Sequence, residues 1–360
     1  MLSFHALKVA SIERIAEDAV CVTLEVPPSL RDAFAFHAGQ YLTVRRKIGD
    51  RDERRTYSIV TAPGGTALKL GVRVQTGGRM SGEIATQLHA GDMLDVGTPL
   101  GRFRTPVSPE REFAYVAFAA GSGITPVLSL AADILAKEPR SRFTLIYGNR
   151  SASRTMFLEQ TLALKNRYID RFSVHFVMSR EPQQSQLLNG RIDGEKVREL
   201  ARHIDDITAA DEYLICGPGA MVDDIRDVVK ALNPAAAIRF ERFTNGGAPN
   251  PEILAASAAA APAKPEVLAM IGVVMDGRRR TFPMAPDDPS VLYAAERAGL
   301  ELPFSCRSGI CATCRAKITA GHAVMTHNIA LEPWETDLGF VLCCQARPTG
   351  ATLELSYDEK

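Results

Sequence analysis

The chain has 360 residues, of which 46% are hydrophobic and 23% are charged, a composition typical of globular domains and unlike disordered, collagenous or coiled-coil chains. Its 42 basic residues balance its 42 acidic residues, so no net positive field would attract nucleic acid or an anionic membrane. No stretch predicts a transmembrane helix and the first residues do not resemble a signal peptide, which predicts a cytoplasmic protein of two or three domains.

The first predicted domain, residues 1–106, is a series of short strands. Apolar runs separated by turn residues predict strands at 19–25, 41–45, 57–60 and 69–74. Several short strands at this spacing predict an antiparallel β-barrel.

The second predicted domain, residues 107–244, alternates strands with helices. The predicted strands, which are short and apolar, lie at 113–119, 143–147, 173–178 and 213–216. Helical patterns at 127–135 and 155–164 fall between them. Alternation of this kind predicts a doubly wound α/β domain with a parallel sheet.

Residues 245–265 differ in composition from both of their neighbours. Four prolines, two glycines and a run of alanines leave no amphipathic period, so this segment is predicted to be a linker. A short alanine-rich helix limited by the flanking prolines is the alternative. The remaining residues, 266–360, form a third predicted domain, which such a linker would allow to swing relative to the first two.

The cysteines of the third domain carry the strongest chemical signal. Cys306, Cys311 and Cys314 are separated by four and two residues, and Cys343 and Cys344 follow at a distance. This is the ligand spacing of plant-type [2Fe–2S] clusters, in which a short loop presents three thiolates and a separate segment the fourth. A zinc site or buried structural thiols are the alternatives, although zinc ligands usually come as two close pairs.

The residues that flank these cysteines resemble those of the plant-type ferredoxins. The resemblance is carried by the stretches Leu302–Cys306 and Val341–Cys344. It implies a β-grasp, ferredoxin-like α+β fold, and it selects Cys344 rather than Cys343 as the fourth ligand. The implied ligands are Cys306, Cys311, Cys314 and Cys344, and Cys343 has no assigned role.

In the barrel, Arg55-Thr56-Tyr57-Ser58 is a weak motif by itself, because a strand with one exposed arginine has the same pattern. It lies, however, in a predicted barrel that precedes a nucleotide-type domain. In this order the chain resembles the ferredoxin–NADP reductase superfamily, which pairs an FAD-binding barrel with a pyridine-nucleotide domain. The resemblance implies that Arg55 neutralises the FAD pyrophosphate, Tyr57 packs on the flavin and Ser58 hydrogen-bonds its reactive N5 edge.

The same resemblance implies a second pyrophosphate contact in the turn Gly77-Gly78-Arg79-Met80-Ser81. Glycines let a backbone approach a phosphate, and the start of the next helix offers free N–H groups. The residues assigned to FAD are Gly78, Met80 and Ser81. An ordinary Gly-Gly turn is the alternative.

Two further turns, each after a buried strand, are implied to hold the nicotinamide dinucleotide. In Gly121-Ser122-Gly123-Ile124-Thr125-Pro126 the assigned residues are Gly121, Gly123, Thr125 and Pro126, with Pro126 at the first helical position. The second turn is Cys216-Gly217-Pro218-Gly219, in which the assigned residues are Cys216, Gly217 and Pro218. The resemblance places Cys216 beside the C4 atom of nicotinamide, from which hydride leaves. A buried apolar cysteine is the alternative.

Basic residues near the end of the third α/β strand favour NADPH over NADH. Ser179 and Arg180 stand where NADP-specific reductases bind the 2′-phosphate, and Arg150 and Arg154 are candidates to join them. A dianionic phosphate needs cationic donors, whereas NAD favours an acid on the ribose. At the end of the domain, Phe243 is predicted to cover the flavin, with plain packing as the alternative.

The order of these domains resembles the reductase components of multicomponent oxygenases. Four stretches resemble the phenylacetyl-CoA epoxidase reductases in particular, namely 4–7, 142–150, 188–196 and the terminal cluster loop. The implied enzyme takes hydride from NADPH onto FAD, with Ser58 and Cys216 as catalytic residues. Single electrons then pass through [2Fe–2S] to a terminal multi-subunit di-iron oxygenase. The alternatives are a reductase for a steroid or aromatic-ring hydroxylase, a redox-sensing or electron-relay subunit, and a free-standing reductase.

Overall fold

The computed structural model describes residues 3–243 and 267–359. The chain divides into two compact units, one from Phe4 to Phe243 and the other containing the described residues 267–359. The predicted linker at 245–265 lies outside the described residues. No helix in the two described stretches combines the length and the apolar character that a membrane span needs.

Six antiparallel strands at the start of the chain form the predicted barrel. They are β1 Phe4–Ala16, β2 Ala19–Glu25, β3 Tyr41–Ile48, β4 Arg51–Ser58, β5 Ala67–Arg73 and β6 Met93–Gly97, in the spatial order β4-β3-β6-β1-β2-β5. Just beyond β4, Ile59 pairs with Leu70 of β5, and Val60 donates to the carbonyl of Lys69 at 2.9 Å. The two edge strands therefore meet and close the sheet.

The barrel interior is filled by alternate residues of its strands. Fully buried side chains include Leu7, Leu24, Leu42 and Val72, as expected when the inward-facing positions of a small barrel form its core. Helix α1 (Arg79–Gln87) adds Met80 and Ile84 to this core, which anchors the start of the helix against the barrel.

Strand β4 begins six residues before the predicted strand at 57–60. Its first half, Arg51–Arg55, is charged, so it carries no apolar alternation from which a strand could be predicted. The hairpin with β3 defines it instead, because Gly49 takes the left-handed conformation (φ 61°) and the two strands pair from Ile48 and Arg51 onward.

Five parallel strands form the predicted doubly wound sheet. They are β7 Ala114–Ala120, β8 Arg142–Asn149, β9 Phe172–Met178, β10 Glu212–Pro218 and β11 Ala237–Phe243, in the order β11-β10-β7-β8-β9. The helices are α2 Ile124–Lys137, α3 Leu158–Arg167, α4 Gly194–Ala201 and α5 Gly219–Leu232. The strand order reverses between β7 and β10, so their carboxyl ends lie side by side at a topological switch point.

Two helices of this domain begin elsewhere than predicted. Helix α2 starts at Ile124, so Pro126 is its third residue rather than its first, and the missing N–H still falls in the first turn. Helix α3 starts at Leu158, because Phe157 has a left-handed backbone (φ 56°) that ends the preceding turn.

The barrel and the α/β domain pack closely within their common unit. Gly71 of β5 leaves room for Phe157, since a Cβ at this glycine would lie 2.5 Å from the phenylalanine ring. Ser129 of α2 donates its hydroxyl to the carbonyl of Thr61 at 2.7 Å, and Arg73 donates to the carbonyl of Arg154 at 2.8 Å. These contacts fix the predicted flavin-binding barrel against the nucleotide domain.

The third domain is a mixed five-stranded sheet with two short helices. Its elements are β12 Ala269–Met275, β13 Arg278–Met284, α6 Val291–Arg297, β14 Arg315–Met325, α7 Pro333–Asp337, β15 Phe340–Leu342 and β16 Ala346–Ser356. The strand order is β13-β12-β16-β14-β15, with β12 and β16 parallel and the other pairs antiparallel. This is the expected β-grasp arrangement, and the cysteine loop lies between α6 and β14.

Candidate functional site

A single carboxylate links the two predicted pyrophosphate-binding motifs of the barrel. Glu53 of β4 pairs through one oxygen with Arg55 (Nη2–Oε2 3.2 Å) and through the other with Arg79 (Nη1–Oε1 3.3 Å). The Arg55 and Arg79 side chains are 46% and 40% exposed, whereas Glu53 is 12% exposed. Two solvent-facing guanidinium groups therefore converge on one anion, which is the charge arrangement that a diphosphate requires.

The turn before α1 is built for close approach by a ligand. Gly77 has a left-handed backbone (φ 73°), and a Cβ at Gly78 would lie 2.6 Å from the Ser81 hydroxyl. That hydroxyl accepts the backbone N–H of Gln75 at 3.1 Å and donates to the Gly78 carbonyl at 3.3 Å. The turn is thus held in place, and the buried Met80 anchors a helix start whose first N–H groups have no intrahelical partner.

Tyr57 and Ser58 stand at the end of β4, paired with Leu42 and Tyr41 of β3. Tyr57 is half-buried against the barrel core, and burial raises the pKa of its phenol well above the usual range, so it is neutral. Ser58 is buried. An aromatic wall, a hydroxyl, two cations and a helix start form a donor set that fits FAD.

The two turns predicted to bind nicotinamide dinucleotide touch one another at the switch point. A Cβ at Gly123 would clash with the carbonyl oxygen of Cys216, so only glycine allows the two turns to meet. Gly121 has a left-handed backbone (φ 55°) with open space beside its Cα, and its carbonyl accepts the Tyr147 hydroxyl at 3.0 Å. At Gly217 a Cβ would lie 2.5 Å from the Met221 methyl group.

The remaining predicted residues of these turns divide between the interior and the surface. Thr125 is buried and donates its hydroxyl to the carbonyl of Ser122 at 2.9 Å, and Pro126 is buried in the first turn of α2. Pro218 is exposed, and in the β10–β11 register it pairs with Phe243, the last described residue before the predicted linker. Phe243 is half-buried beside the core cluster that contains Cys216.

Glu241 is a candidate functional residue that sequence reasoning missed. It pairs with Cys216 in the register of β10 and β11, and its Oε2 atom is buried with no hydrogen-bond partner in the described residues. Burial raises the pKa of Glu241 to about 8, and burial followed by the charge of Glu241 raises the pKa of the Cys216 thiol. The available signal was an acidic residue directly before Arg242-Phe243, at the end of the strand that follows β10 in the chain.

Two arginines predicted to recognise a 2′-phosphate lie side by side. The backbone N–H of Arg180 donates to the carbonyl of Arg150 at 2.9 Å, just as that of Ser179 donates to Asn149. Both arginines are exposed, and neither makes an ion pair within residues 3–243 and 267–359. The carboxylate of Glu181 caps the backbone N–H of Ala152 at 2.8 Å.

Arg154, the third arginine considered for the 2′-phosphate, binds a carboxylate of the barrel instead. It forms a close ion pair with Asp18 of the barrel, and Asp18 also pairs with Arg73 at 3.0 Å. This network joins the barrel to the α/β domain. Arg154 therefore has a structural role here, which sequence spacing could not reveal because Asp18 is remote in the chain.

The four predicted cluster cysteines approach one another in two pairs. The Cys306 and Cys311 thiols are hydrogen-bonded to each other, as are those of Cys314 and Cys344. Cys343 faces away into the core with Tyr357, and its carbonyl accepts the Leu292 N–H at 2.9 Å. Two irons, each taking two thiolates, would use such pairs.

The loop offers backbone donors to sulfur. The N–H groups of Ser308 and Ile310 each lie 3.4 Å from the Sγ atom of Cys306. The hydrogen bond from Cys311 and these backbone donors together lower the pKa of Cys306 to about 5. The hydroxyl of Ser305 is buried without a partner in the described residues, so the donor set fits a sulfur-rich anionic cluster.

Among the described residues, no three His, Cys, Asp or Glu side chains surround a point where a single metal ion would sit. No disulfide joins any of the seven cysteines, all of which lie in the described part of the chain. Four of the five thiols of the third domain form the two pairs at the cysteine loop, and Cys343 lies apart from them.

The fold and these sites define a flavin-dependent NAD(P)H oxidoreductase with an attached [2Fe–2S] domain. Three family models match in the expected order. They are an oxidoreductase FAD-binding domain at residues 6–105, an oxidoreductase NAD-binding domain at 118–227 and a 2Fe-2S iron-sulfur cluster binding domain at 273–349.

Curated relatives match along the full length. A component of the 1,2-phenylacetyl-CoA epoxidase of Escherichia coli (strain K12) is 38% identical over 100% of this chain and 99% of that protein. The ferredoxin reductase component of 3-ketosteroid-9-alpha-monooxygenase from Rhodococcus rhodochrous is 28% identical over 98% of this chain and 96% of that protein. The chain belongs to this family of ferredoxin–NADP reductase-like oxygenase reductase components with a carboxyl-terminal [2Fe–2S] domain.

Solved structures agree on the fold. Phthalate dioxygenase reductase is 23% identical, covers 98% of each chain and superposes with a TM-score of 0.57. An intact type IV self-sufficient cytochrome P450 monooxygenase is 22% identical and superposes with a TM-score of 0.68. The match covers 98% of this chain and 41% of that larger chain.

Proposed function

We propose that this chain carries electrons from NADPH through FAD and [2Fe–2S] to the multi-subunit di-iron oxygenase of phenylacetyl-CoA epoxidation. The observation that carries this proposal is the 38% identity to a phenylacetyl-CoA epoxidase component over the whole of both chains. A reductase that shares every domain with its relative, in the same order, is expected to share the type of electron acceptor as well.

The choice of NADPH rests on Arg150 and Arg180. Their backbones are hydrogen-bonded at neighbouring strand ends, their side chains are exposed, and neither has an ion-pair partner in the described residues. Two unpaired guanidinium groups at one place favour a dianionic phosphate, because charge-assisted hydrogen bonds to phosphate are strong and bidentate.

Bound FAD would accept a hydride's two electrons together and release them singly, and the [2Fe–2S] cluster would carry one at a time. In this proposal Arg55, Arg79 and the α1 turn hold the FAD pyrophosphate, while Tyr57 supports the flavin and Ser58 hydrogen-bonds its reacting edge. Cys216 and the Gly121–Gly123 turn orient nicotinamide. The cluster ligands are Cys306, Cys311, Cys314 and Cys344.

The proposed location is the cytoplasm, where pyridine nucleotides are available and thiols stay reduced. The seven cysteines form no disulfide, as expected for a chain in a reducing compartment.

The proposal is tested by anaerobic titration of the purified chain with NADPH, followed by visible and EPR spectra. Bleaching of the flavin band with a rhombic signal from a reduced [2Fe–2S] cluster is expected. Reduction of the purified epoxidase oxygenase components by catalytic amounts of this chain, with turnover of phenylacetyl-CoA, tests the partner. Efficient reduction of the chain without any turnover by that oxygenase would refute the partner assignment.

A steroid oxygenase is the second candidate partner, because ferredoxin reductase components of 3-ketosteroid-9-alpha-monooxygenases match over nearly the whole chain. The same assay with a 3-ketosteroid-9-alpha-monooxygenase terminal component distinguishes the two. Higher turnover with the steroid component than with the epoxidase components would favour the second candidate.

A further inference from the structure

Gln345, which directly follows the proposed ligand Cys344, is a polar side chain buried at the cysteine loop, with 6% of its surface exposed. Both ends of its amide are hydrogen-bonded. Its Nε2 atom lies 3.6 Å from the Sγ of Cys344 and 3.0 Å from the carbonyl oxygen of Arg307, and its Oε1 atom accepts the Thr326 hydroxyl at 2.7 Å. One amide thus reaches a ligand sulfur and the cysteine loop together.

The contact with Arg307 ties the two separate ligand segments to each other. Arg307 follows Cys306 and has a left-handed backbone (φ 56°), a conformation that a non-glycine residue adopts only when its surroundings hold it. Its guanidinium group is held by a bidentate ion pair with Glu296 at 2.6 and 2.8 Å. Its carbonyl is held by Gln345, so the loop is fixed on both sides.

The Arg307 carbonyl and the Thr326 hydroxyl together fix which way the amide of Gln345 points. A carbonyl oxygen can only accept, so the N–H₂ group must face Arg307 and Cys344, and Oε1 then accepts the Thr326 hydroxyl. The backbone N–H of Thr326 also donates to the Gln345 carbonyl at 3.1 Å. Thr326, which follows β14, therefore helps to hold the amide that donates to Cys344.

The donors to Cys306 and to Cys344 differ in kind. Cys306 accepts backbone N–H groups from Ser308 and Ile310, which no side-chain substitution removes. Cys344 accepts a backbone N–H from Gly309 and, in addition, the side chain of Gln345. Donors to a ligand sulfur favour the more negative, reduced cluster and so raise its reduction potential.

We propose that Gln345 is a positioning residue that raises the reduction potential of the [2Fe–2S] cluster through Cys344 and holds the cysteine loop through Arg307. The inference rests on the proposed ligand set. It makes the amide of Gln345 a determinant of how readily the third domain accepts an electron from the flavin.

The test is an anaerobic redox titration of the full chain with FAD and cluster in place, followed by EPR and visible spectra. Gln345→Leu removes the donor at similar volume. Its cluster should become harder to reduce, with the ratio of reduced to oxidised cluster falling about tenfold at a given potential, or 59 mV for one electron. The flavin potential, read in the same titration, should not move.

Two threonine variants provide the second measurement and its control. Thr326→Val removes the hydroxyl that holds the Oε1 atom of Gln345, so the amide is held less firmly and the cluster potential should fall by less than that of Gln345→Leu. Thr349→Val removes a comparable hydroxyl donor, to the carbonyl of His322 at 3.3 Å, at an exposed position of β16, and should match the wild type.

Iron and acid-labile sulfide analysis separates the outcomes. A Gln345→Leu chain with full iron content and an unchanged cluster potential overturns the proposal. If that variant assembles no cluster, an unchanged potential in Thr326→Val overturns it instead. A wild-type chain that assembles no cluster would contradict the ligand set itself, which is a different failure.

Discussion

Cys216 and Glu241 occupy paired positions on the parallel strands β10 and β11, and β10 borders the switch point where the predicted nicotinamide turns meet. Glu241 has no partner for its buried Oε2 atom in the described residues, and burial raises its pKa to about 8. A carboxyl that is neutral at pH 7 can donate a hydrogen bond where an ionised one cannot. The candidate hydride site therefore contains a thiol and a protonated carboxyl as neighbours.

This carboxyl should make stability depend on pH. Because the pKa of Glu241 rises from 4.5 in the unfolded chain to about 8 in the folded one, the folded state binds more protons between these values. The contribution of Glu241 to the free energy of unfolding is greatest below about pH 4.5 and is lost as the pH rises through 8. Relative to wild type, Glu241→Gln should gain stability from pH 5 to 8, reaching on the order of 2 kcal/mol after allowance for partial solvent access.

Denaturant unfolding of both proteins at several pH values measures this difference directly. The other titrating groups are common to both chains and cancel. A difference that stays constant from pH 5 to 9 would show that Glu241 titrates normally.

The adjacent cysteines should differ sharply in their effect on the cluster. Cys344 pairs with Cys314 and accepts the Gln345 amide, whereas Cys343 lies in the core beside Tyr357. Cys344→Ala should lose most of the two irons per chain that a [2Fe–2S] cluster contains. Cys343→Ala should keep them at a stability cost of about 1 kcal/mol. Iron and sulfide analysis decides, and the reverse pattern would reassign the fourth ligand.

Arg150 and Arg180 should control the choice of nicotinamide cofactor. Alanine at either position should lower kcat/KM for NADPH about ten- to a hundredfold, the effect of losing a charged hydrogen bond, and change kcat/KM for NADH by less than about twofold. Arg142→Ala is the matched control, because Arg142 is exposed at the opposite end of the strand that leads to Arg150. Equal losses with both nucleotides would argue against 2′-phosphate recognition.

Arg55 should be needed to retain FAD. Its exposed guanidinium group lies with that of Arg79 around Glu53. Removing it by Arg55→Ala should weaken FAD binding about ten- to a hundredfold. Arg51→Ala, at an exposed position on the same strand, should leave the flavin content unchanged. Flavin absorbance after gel filtration reports both, and equal retention in the two variants would contradict the role of Arg55.

The two glycines of the first nicotinamide turn should respond differently to alanine. At Gly123 the added Cβ would clash with the Cys216 carbonyl, so Gly123→Ala should cost about 3 kcal/mol and raise the KM for NADPH. At Gly121 the space is open and only the left-handed backbone is penalised, by about 1 kcal/mol. Equal stabilities of the two variants in denaturant unfolding would mean that the turns can separate without cost.

Local patterns in the sequence predicted the strand and helix types of the first two domains, because their apolar periods are those of barrel strands and of strand–helix alternation. The cysteine spacing predicted the cluster chemistry, since ligands on one short loop are neighbours in sequence as well as in space. Strand β4 was only partly predicted, because its charged first half is defined by pairing with β3 rather than by apolar alternation.

By itself, then, the sequence determined the order of three domains and the chemistry of the cysteine loop, because both can be predicted from residues that are neighbours in the chain. Only the tertiary structure decided which remote groups meet. It placed Glu241 beside Cys216 and paired Arg154 with Asp18. It also brought Arg55 and Arg79 together at Glu53. The amide of Gln345 donates to Cys344 and Arg307. The physical reason is that most of these contacts arise from strand register and packing between segments far apart in the chain, and the orientation of Gln345 depends on Arg307 in the cysteine loop and on Thr326 just after β14.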